Sequence, residues 1–260
     1  MRIAVQVQPQ HAEYEQIRTT VLTAEELGVD IIYNWDHFFP LYGGEPDPTT
    51  GKHYECWTML GAWAEQTERV QFGALVTCNS YRNPQLLADM ARTVDNISDG
   101  RLILGMGAGW FHKDYAEFDY EFGTGGSRLR ALEEALPLIR ARLAAGDPPP
   151  RRHIPILIGG GGEKVTLRIV AEHADIWHGF GDLETIEHKM AVLDGWCDEV
   201  GRPRDGVQRS TGIKREDFDR LDEYGPTGID ELVLSVGGPD YDLEPVRELV
   251  AWRDTSQRPG

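Results

Sequence analysis

Short β-rich runs alternate with longer helical stretches along the whole chain, and this alternation limits the fold more than any other sequence feature. Eight such pairs occur in the 260 residues. The expected strands are 3–8, 30–35, 70–77, 101–106, 154–158, 175–178, 207–212 and 231–236. Eight pairs in about 250 residues are typical of a (β/α)8 TIM barrel. A doubly wound open sheet is the second interpretation, because local patterns do not show whether a sheet closes.

Apolar residues at helical spacing mark the segments between the strands. The expected helices are about 17–27, 54–68, 84–97, 129–143, 163–172, 186–197 and 243–253. Gly28 ends the first helix, and Pro84 opens the third at the position where proline is favoured. Because neither a repeat nor a linker interrupts the alternation, we predict one domain over residues 1–260.

The net charge of −17 bears on the partners of the protein. Such an acidic surface repels phosphate backbones, so we expect a small-molecule substrate and neither nucleic acid nor an anionic membrane. The three cysteines lack metal or redox spacing, and we expect Cys56 and Cys197 to lie in the core. The first eight residues do not have the pattern of a signal peptide, so we expect a cytoplasmic protein.

Small and polar residues collect where the expected strands end, which is the catalytic face of a barrel. The stretches are 34–38, 77–80, 105–110, 159–164 and 178–179. Asp36 and His37 follow the second strand, and histidine can exchange a proton near neutral pH. A hydrogen-bonded pair at the start of a loop is the alternative interpretation. Segments 38–53 and 110–122 are either lids or packing around the rim.

Four consecutive glycines, 159–162, separate a strand from a helix. Backbone N–H groups in such a loop can approach and bind a phosphate, although a tight turn is the simpler alternative. The Gly105-x-Gly107-x-Gly109 run is not a dinucleotide fingerprint, because the GxGxxG pattern requires glycine at position 110 and this sequence has Trp110. It could let a flat ring lie against the backbone. Histidine pairs with metal-ligand spacing do not occur, so we expect no metal.

Four motifs together resemble the luciferase-like monooxygenase family, and more closely its coenzyme F420-dependent oxidoreductases of actinobacterial type. They are Asp36-His-Phe38, the run from Phe72 to Pro84, the run from Ile97 to Trp110, and Pro155–Gly162. The resemblance implies a bacterial luciferase-like TIM barrel with a non-prolyl cis peptide in strand three, near Ala74-Leu75. It also implies a deazaflavin or flavin lying across the strand ends, and often a homodimer.

The family's site residues transfer to matching positions of this sequence. The resemblance implies that Asp36 and His37 lie at the deazaflavin ring, with His37 transferring a proton. It implies ring contacts from Thr77 and Asn79 and backbone contacts from Ala108 and Gly109. The resemblance implies that the glycine run is the phosphate loop, in which Gly160, Gly161 and Gly162 contact the cofactor phosphate.

Two departures from the family pattern affect the expected substrate. Trp110 stands where the sugar-phosphate dehydrogenases of the family have a glutamate, and the connections before strand five and around strand seven are short. We therefore expect an open site and an F420-dependent oxidoreductase that transfers a hydride to or from a small organic substrate. The alternatives are an FMN-dependent monooxygenase and a non-catalytic flavin- or deazaflavin-binding protein, because one fold supports all three.

Overall fold

The parallel sheet of the protein closes on itself, which excludes the open doubly wound alternative. A computed structural model describes residues 1–43 and 46–256. Two residues of the predicted loop 38–53 and the last four of the predicted domain 1–260 lie outside these ranges. The strands are β1 Arg2–Val7, β2 Ile31–Asn34, β3 Gln71–Ala74, β4 Thr77–Cys78, β5 Leu102–Gly107, β6 Ile156–Gly159, β7 Ile176–Gly179, β8 Gln208–Ile213 and β9 Glu231–Val236. Their order is β3-β2-β1-β9-β8-β7-β6-β5-β4, and pairing of β3 with β5 closes the barrel.

Nine α-helices surround the barrel in the part of the chain that the structure describes. They are α1 Tyr14–Leu27, α2 Cys56–Gln66, α3 Pro84–Ile97, α4 His112–Glu117, α5 Gly125–Ala145, α6 Thr166–His173, α7 Leu183–Val200, α8 Leu221–Tyr224 and α9 Glu244–Ser256. Helix α3 begins at Pro84 as predicted, and the Asn83 side chain accepts hydrogen bonds from the next two free N–H groups. The sequence pattern missed α4 and α8, which are too short to show periodicity.

Two apolar layers hold the barrel together. The inner layer fills the barrel with side chains from six strands and from the link between β3 and β4. They are Ala4, Ile31, Tyr33, Leu75, Ile103, Leu157, Ile176 and Val233. The outer layer lies between strands and helices and contains Cys56 and Cys197, both fully buried as predicted. The helices in residues 1–43 and 46–256 are all too short or too polar to cross a membrane.

Strand three is interrupted, whereas the sequence predicted one continuous strand. Its two parts, β3 and β4, flank a non-prolyl cis peptide between Leu75 and Val76, one bond beyond the expected position. Glycines allow the neighbouring strand to approach this break. A Cβ atom on Gly105 would lie 1.9 Å from the Ala74 carbonyl oxygen, and one on Gly107 would lie 2.5 Å from the Val76 side chain. The glycine run in β5 therefore serves strand packing.

Substitution of Gly105 by alanine should destabilise the barrel, because the added methyl group would overlap backbone atoms that cannot rotate away. We expect the free energy of unfolding to fall by about 3 kcal/mol or more. Gly195→Ala is the control, since Gly195 lies within α7 with no atom within 4 Å of an added Cβ. It should stabilise the protein by about 0.5–1 kcal/mol. Urea unfolding followed by tryptophan fluorescence measures both, and equal stabilities would contradict the packing argument.

Candidate active site

A cavity of about 370 Å³ opens at the carboxyl ends of the strands, as expected for a barrel enzyme. We call it the first cavity. The loops after β2, β4, β5 and β6 form its walls, with the start of α5 on one side. Its lining residues are Asp36, His37, Leu75, Val76, Cys78, Tyr81, Gly107, Ala108, Gly109, Trp110, Gly125, Arg128, Leu129, Leu132, Gly159, Gly160, Thr166 and Phe180. Sequence reasoning selected five of these as site residues: Asp36, His37, Ala108, Gly109 and Gly160.

Asp36 lies in the wall of the first cavity, but both of its oxygens are engaged. Arg82 donates to Oδ2 at 2.6 Å and to Oδ1 at 3.0 Å, and the Cys78 N–H donates to Oδ2 at 3.0 Å. Burial raises the pKa of the Asp36 carboxyl, while Arg82 and the Cys78 N–H lower it. Asp36 therefore holds the chain after strand three in place. Its predicted contact with a cofactor stays a prediction.

His37 has a buried carboxylate partner, Asp114. The His37 Nδ1 atom lies 2.6 Å from Asp114 Oδ2, which also accepts a 2.8 Å hydrogen bond from the Tyr81 hydroxyl. Asp114 Oδ1 accepts from the Phe38 N–H at 3.1 Å. Since the carboxylate can only accept, His37 Nδ1 carries a hydrogen and Nε2 is left for the cavity. Such a histidine can take up a proton at Nε2 while the carboxylate stabilises the resulting charge.

Asp114 is the site residue that sequence reasoning missed. It lies 77 residues from His37, in the short helix α4 within the aromatic segment 110–122. Phe38 packs against Phe118 and Tyr81, so the segment serves as packing around the rim and also places Asp114 below His37. The segment contains other aspartate and glutamate residues, and the sequence pattern did not distinguish Asp114 from them. Its position in the first turn of a helix flanked by aromatic residues was the available signal.

Thr77 and Asn79 are not brought to the first cavity. Thr77 is fully buried, and its hydroxyl oxygen accepts a hydrogen bond from Trp57 Nε1 at 3.2 Å. Asn79 begins a 3-10 helix, Asn79–Tyr81, and is 8% exposed. Cys78 and Tyr81 line the cavity instead. The implied ring contacts of Thr77 and Asn79 stay predictions.

Ala108 and Gly109 line the cavity where the resemblance implied backbone contacts. Gly109 has a φ of +83°, and a Cβ there would lie 2.0 Å from the Tyr115 hydroxyl oxygen. Its carbonyl oxygen accepts a hydrogen bond from Arg128 Nε at 3.0 Å. The site therefore needs glycine at this position, and the bare backbone forms part of the wall.

The tetraglycine loop turns its carbonyl groups into the protein. Trp177 Nε1 donates to Gly160 O at 2.7 Å, Lys189 Nζ to Gly161 O at 2.7 Å, and the Leu167 N–H to Gly162 O at 3.0 Å. The Gly160 N–H donates to His178 O at 3.1 Å, so it is already used. The N–H groups of Gly161 and Gly162 have no acceptor within the described residues. Helix α6 begins at Thr166, three residues later than predicted, because residues 163–165 form turns.

A second cavity of about 490 Å³ adjoins the first and shares Leu75 and Phe180 with it. It lies over the ends of β1, β7, β8 and β9. Its other lining residues are Gln6, His178, Gly181, Asp182, Gly212, Ile213, Lys214, Glu216, Asp217, Val233 and Ser235. Gln6 Nε2 donates to the Leu75 carbonyl oxygen at 3.1 Å and so holds the partition between the cavities.

His178 is buried and forms part of this second cavity. Its Nδ1 atom lies 2.8 Å from Ser210 Oγ. Burial lowers the pKa of His178 from 6.5 to about 3. His178 is therefore neutral near pH 7. No group of three or more His, Cys, Asp or Glu side chains in residues 1–43 and 46–256 is arranged to hold a metal ion.

Comparison with known proteins places this geometry in a family. The model of the luciferase-like monooxygenase family matches residues 1–214. The chain belongs to this family. Membership confirms the predicted family and makes the chain an oxidoreductase of the luciferase-like type. The similar sequences include an uncharacterized protein of Mycobacterium tuberculosis, 25% identical over 244 residues, which covers 84% of this chain and 85% of that protein.

Other relatives carry functional names. An F420-dependent glucose-6-phosphate dehydrogenase of Amycolatopsis mediterranei is 35% identical over 121 residues, covering 45% of this chain and 34% of that enzyme. Among solved structures, an F420-dependent secondary alcohol dehydrogenase in complex with an F420-acetone adduct has a TM-score of 0.82 and 15% identity, covering 95% of this chain and 97% of that one. Monooxygenase RslO1 from Streptomyces bottropensis has a TM-score of 0.71 and 17% identity, and the match covers 96% of this chain and 97% of that one. These structures confirm the TIM-barrel fold.

The low pKa of His178 predicts a pH dependence of stability. The unfolded chain binds a proton at this histidine below about pH 6.5, whereas the folded chain does so only near pH 3, so stability is lost as the pH falls between these values. The loss is about 1.4 kcal/mol per pH unit for one proton. His178→Gln should remove this contribution and make the stability curve shallower between about pH 6 and pH 4. Urea unfolding at several pH values measures the slopes, and equal slopes would rule out a buried neutral histidine.

Proposed function

We propose that the protein is an F420-dependent oxidoreductase that transfers a hydride between the deazaflavin and a small organic substrate. The observation that carries the proposal is the hydrogen-bonded pair of His37 and Asp114, in the wall of a cavity built from strand ends. The names of the relatives and of the similar structure support the choice of cofactor. Family membership supports the reaction class.

The first cavity has the features that a deazaflavin cofactor requires. The backbone of Ala108 and Gly109 lines the first cavity where a ring could lie, and exposed aromatic side chains of Trp110 and Phe180 stand beside it. The N–H groups of Gly161 and Gly162, which have no acceptor among residues 1–43 and 46–256, follow directly on the lining residue Gly160, where a phosphate could accept from them. A ring site and a phosphate site are thus adjacent, which fits the cofactor.

A bound deazaflavin supplies two-electron hydride chemistry. The protein must then move the accompanying proton. When a hydride leaves the carbon of an alcohol, His37 Nε2 can accept the hydroxyl proton, and Asp114 stabilises the imidazolium through the Nδ1 hydrogen bond. In the opposite direction the imidazolium returns the proton to the oxygen. His37 is the proposed catalytic residue, and Asp114 is the positioning residue.

Cofactor preference is the direct test of this function. We expect fluorescence titration to show micromolar or tighter binding of F420 and weaker binding of FMN under the same conditions. Equal or tighter binding of FMN would favour the monooxygenase alternative. Binding of F420 without its reduction or oxidation by any of a panel of secondary alcohols and unsaturated carbonyl compounds would favour a cofactor-binding protein.

Gly161→Val should weaken cofactor binding. A Cβ at this position would lie 3.1 Å from the Lys189 side chain and a branched one would cover the free N–H groups of the loop. The matched control is Gly195→Val on α7, where an added Cβ meets no atom within 4 Å. F420 titration compares the two folded variants with the natural protein. Unchanged affinity in Gly161→Val would mean that the loop is only a turn.

His37→Gln should lower turnover by about 100- to 10,000-fold, which is the usual contribution of a general acid or base. Asp114→Asn should also lower turnover, because an amide can donate to Nδ1 and leave Nε2 protonated. F420 affinity should change much less in both variants. His153→Gln is the control, since that side chain is exposed and pairs with Asp175 outside the cavity. Full turnover by His37→Gln with an unaltered pH profile would show that the proton comes from elsewhere.

A further inference from the structure

We infer that the second cavity binds part of the substrate and that His178 Nε2 accepts a hydrogen bond from a ligand hydroxyl group there. The inference deepens the proposed function, on which it rests for the identity of the ligand as substrate. Because His37 receives the proton of the reacting hydroxyl, and a hydroxyl has a single proton, His178 must recognise a second one. The substrate class is therefore a small molecule with two or more hydroxyl groups.

The direction of each hydrogen bond behind His178 follows from Glu231, which is fully buried. Arg2 donates to Glu231 Oε2 at 2.9 Å, and Tyr33 donates to Oε1 at 3.1 Å. Ser210 Oγ lies 2.9 Å from Oε1 and donates its hydrogen there. A hydroxyl group has one hydrogen, so Ser210 Oγ can only accept from His178 at 2.8 Å. His178 therefore carries its hydrogen on Nδ1.

The same reasoning leaves Nε2 as an unprotonated acceptor. Nε2 has no hydrogen-bond partner among residues 1–43 and 46–256, and it is not one of their fully enclosed unpaired atoms. His178 lines the second cavity, so this nitrogen contacts its open space. Burial keeps the ring neutral, so Nε2 does not gain a second ring proton and stays an acceptor. A ligand hydroxyl can satisfy Nε2, whereas an ether or carbonyl oxygen would place two lone pairs against each other.

Other lining groups fit a polyhydroxylated molecule. Gln6 and Ser235 offer polar side chains at the ends of β1 and β9, and Phe180 covers the side shared with the first cavity. The two histidines serve different purposes. His37 has a carboxylate partner and can exchange a proton, whereas His178 has a serine partner and stays a fixed acceptor. A molecule that spans the shared boundary at Leu75 could meet both.

The test uses two probes, 1,2-propanediol and 1,2-dimethoxypropane, which differ in that methyl groups replace both hydroxyl hydrogens of the diol. Long-range ¹H–¹⁵N spectra should show His178 protonated at Nδ1 and unprotonated at Nε2 between about pH 5 and pH 9. The diol should shift the Nε2 resonance and bind about 5- to 10-fold more tightly than the ether, the effect of one hydrogen bond. A proton on Nε2, or equal affinities for the two probes, would overturn the inference.

Variants separate the acceptor from general effects on the fold. His178→Phe should lose the preference for the diol, and His153→Phe, at the opposite end of the barrel, should keep it. Ser210→Ala removes the group that fixes the tautomer, so Nε2 should gain a partial proton and the preference should fall toward 1-fold. A preference for the diol that is retained in folded His178→Phe would overturn the inference. If His178→Phe does not fold, an unchanged tautomer and an unchanged preference in Ser210→Ala would overturn it. These measurements need no F420, so failure to bind F420 would count against the proposed function alone.

Discussion

The close approach of strand three to β5 at the mouth of the barrel is the packing constraint on which the site depends. Side chains at Gly73 or Gly105 would collide with backbone oxygens of the facing strand, at Ile103 and Ala74 respectively. Their absence lets the strand break after Ala74, so that Leu75 stands between the two cavities and Val76 lines the first. Asp36 and Arg82 then hold the returning chain in place from the outside. The walls of both cavities follow from this arrangement.

Two histidines of similar chemistry receive different properties from their partners. His37 meets the carboxylate of Asp114, which can stabilise a positive ring. His178 is enclosed and meets the hydroxyl oxygen of Ser210, which orients the ring without offsetting a charge. One ring is thus suited to proton transfer and the other to recognition.

The acidic surface of the protein limits the ligands that its overall charge can attract. The net charge of −17 gives no attraction for anionic partners, so the phosphate that we propose for the N–H groups at Gly161 and Gly162 would be bound without a cationic surface. Trp110 and Phe180 are 64% and 60% exposed, so aromatic side chains border the cavity where they could cover a bound ring.

The sequence by itself determined the order and type of the main elements, the family, and most of the strand ends that line the first cavity. Periodicity and turn residues act over a few positions, so they can be read locally, and the boundaries of the strands agree within two residues outside strand three. Only the tertiary structure decided that Asp114 is the partner of His37, that Thr77 is fully buried against Trp57, and that Gly160 has already used its N–H group. Each of these depends on a contact between elements far apart in sequence, whose partners are chosen by packing and burial rather than by spacing along the chain.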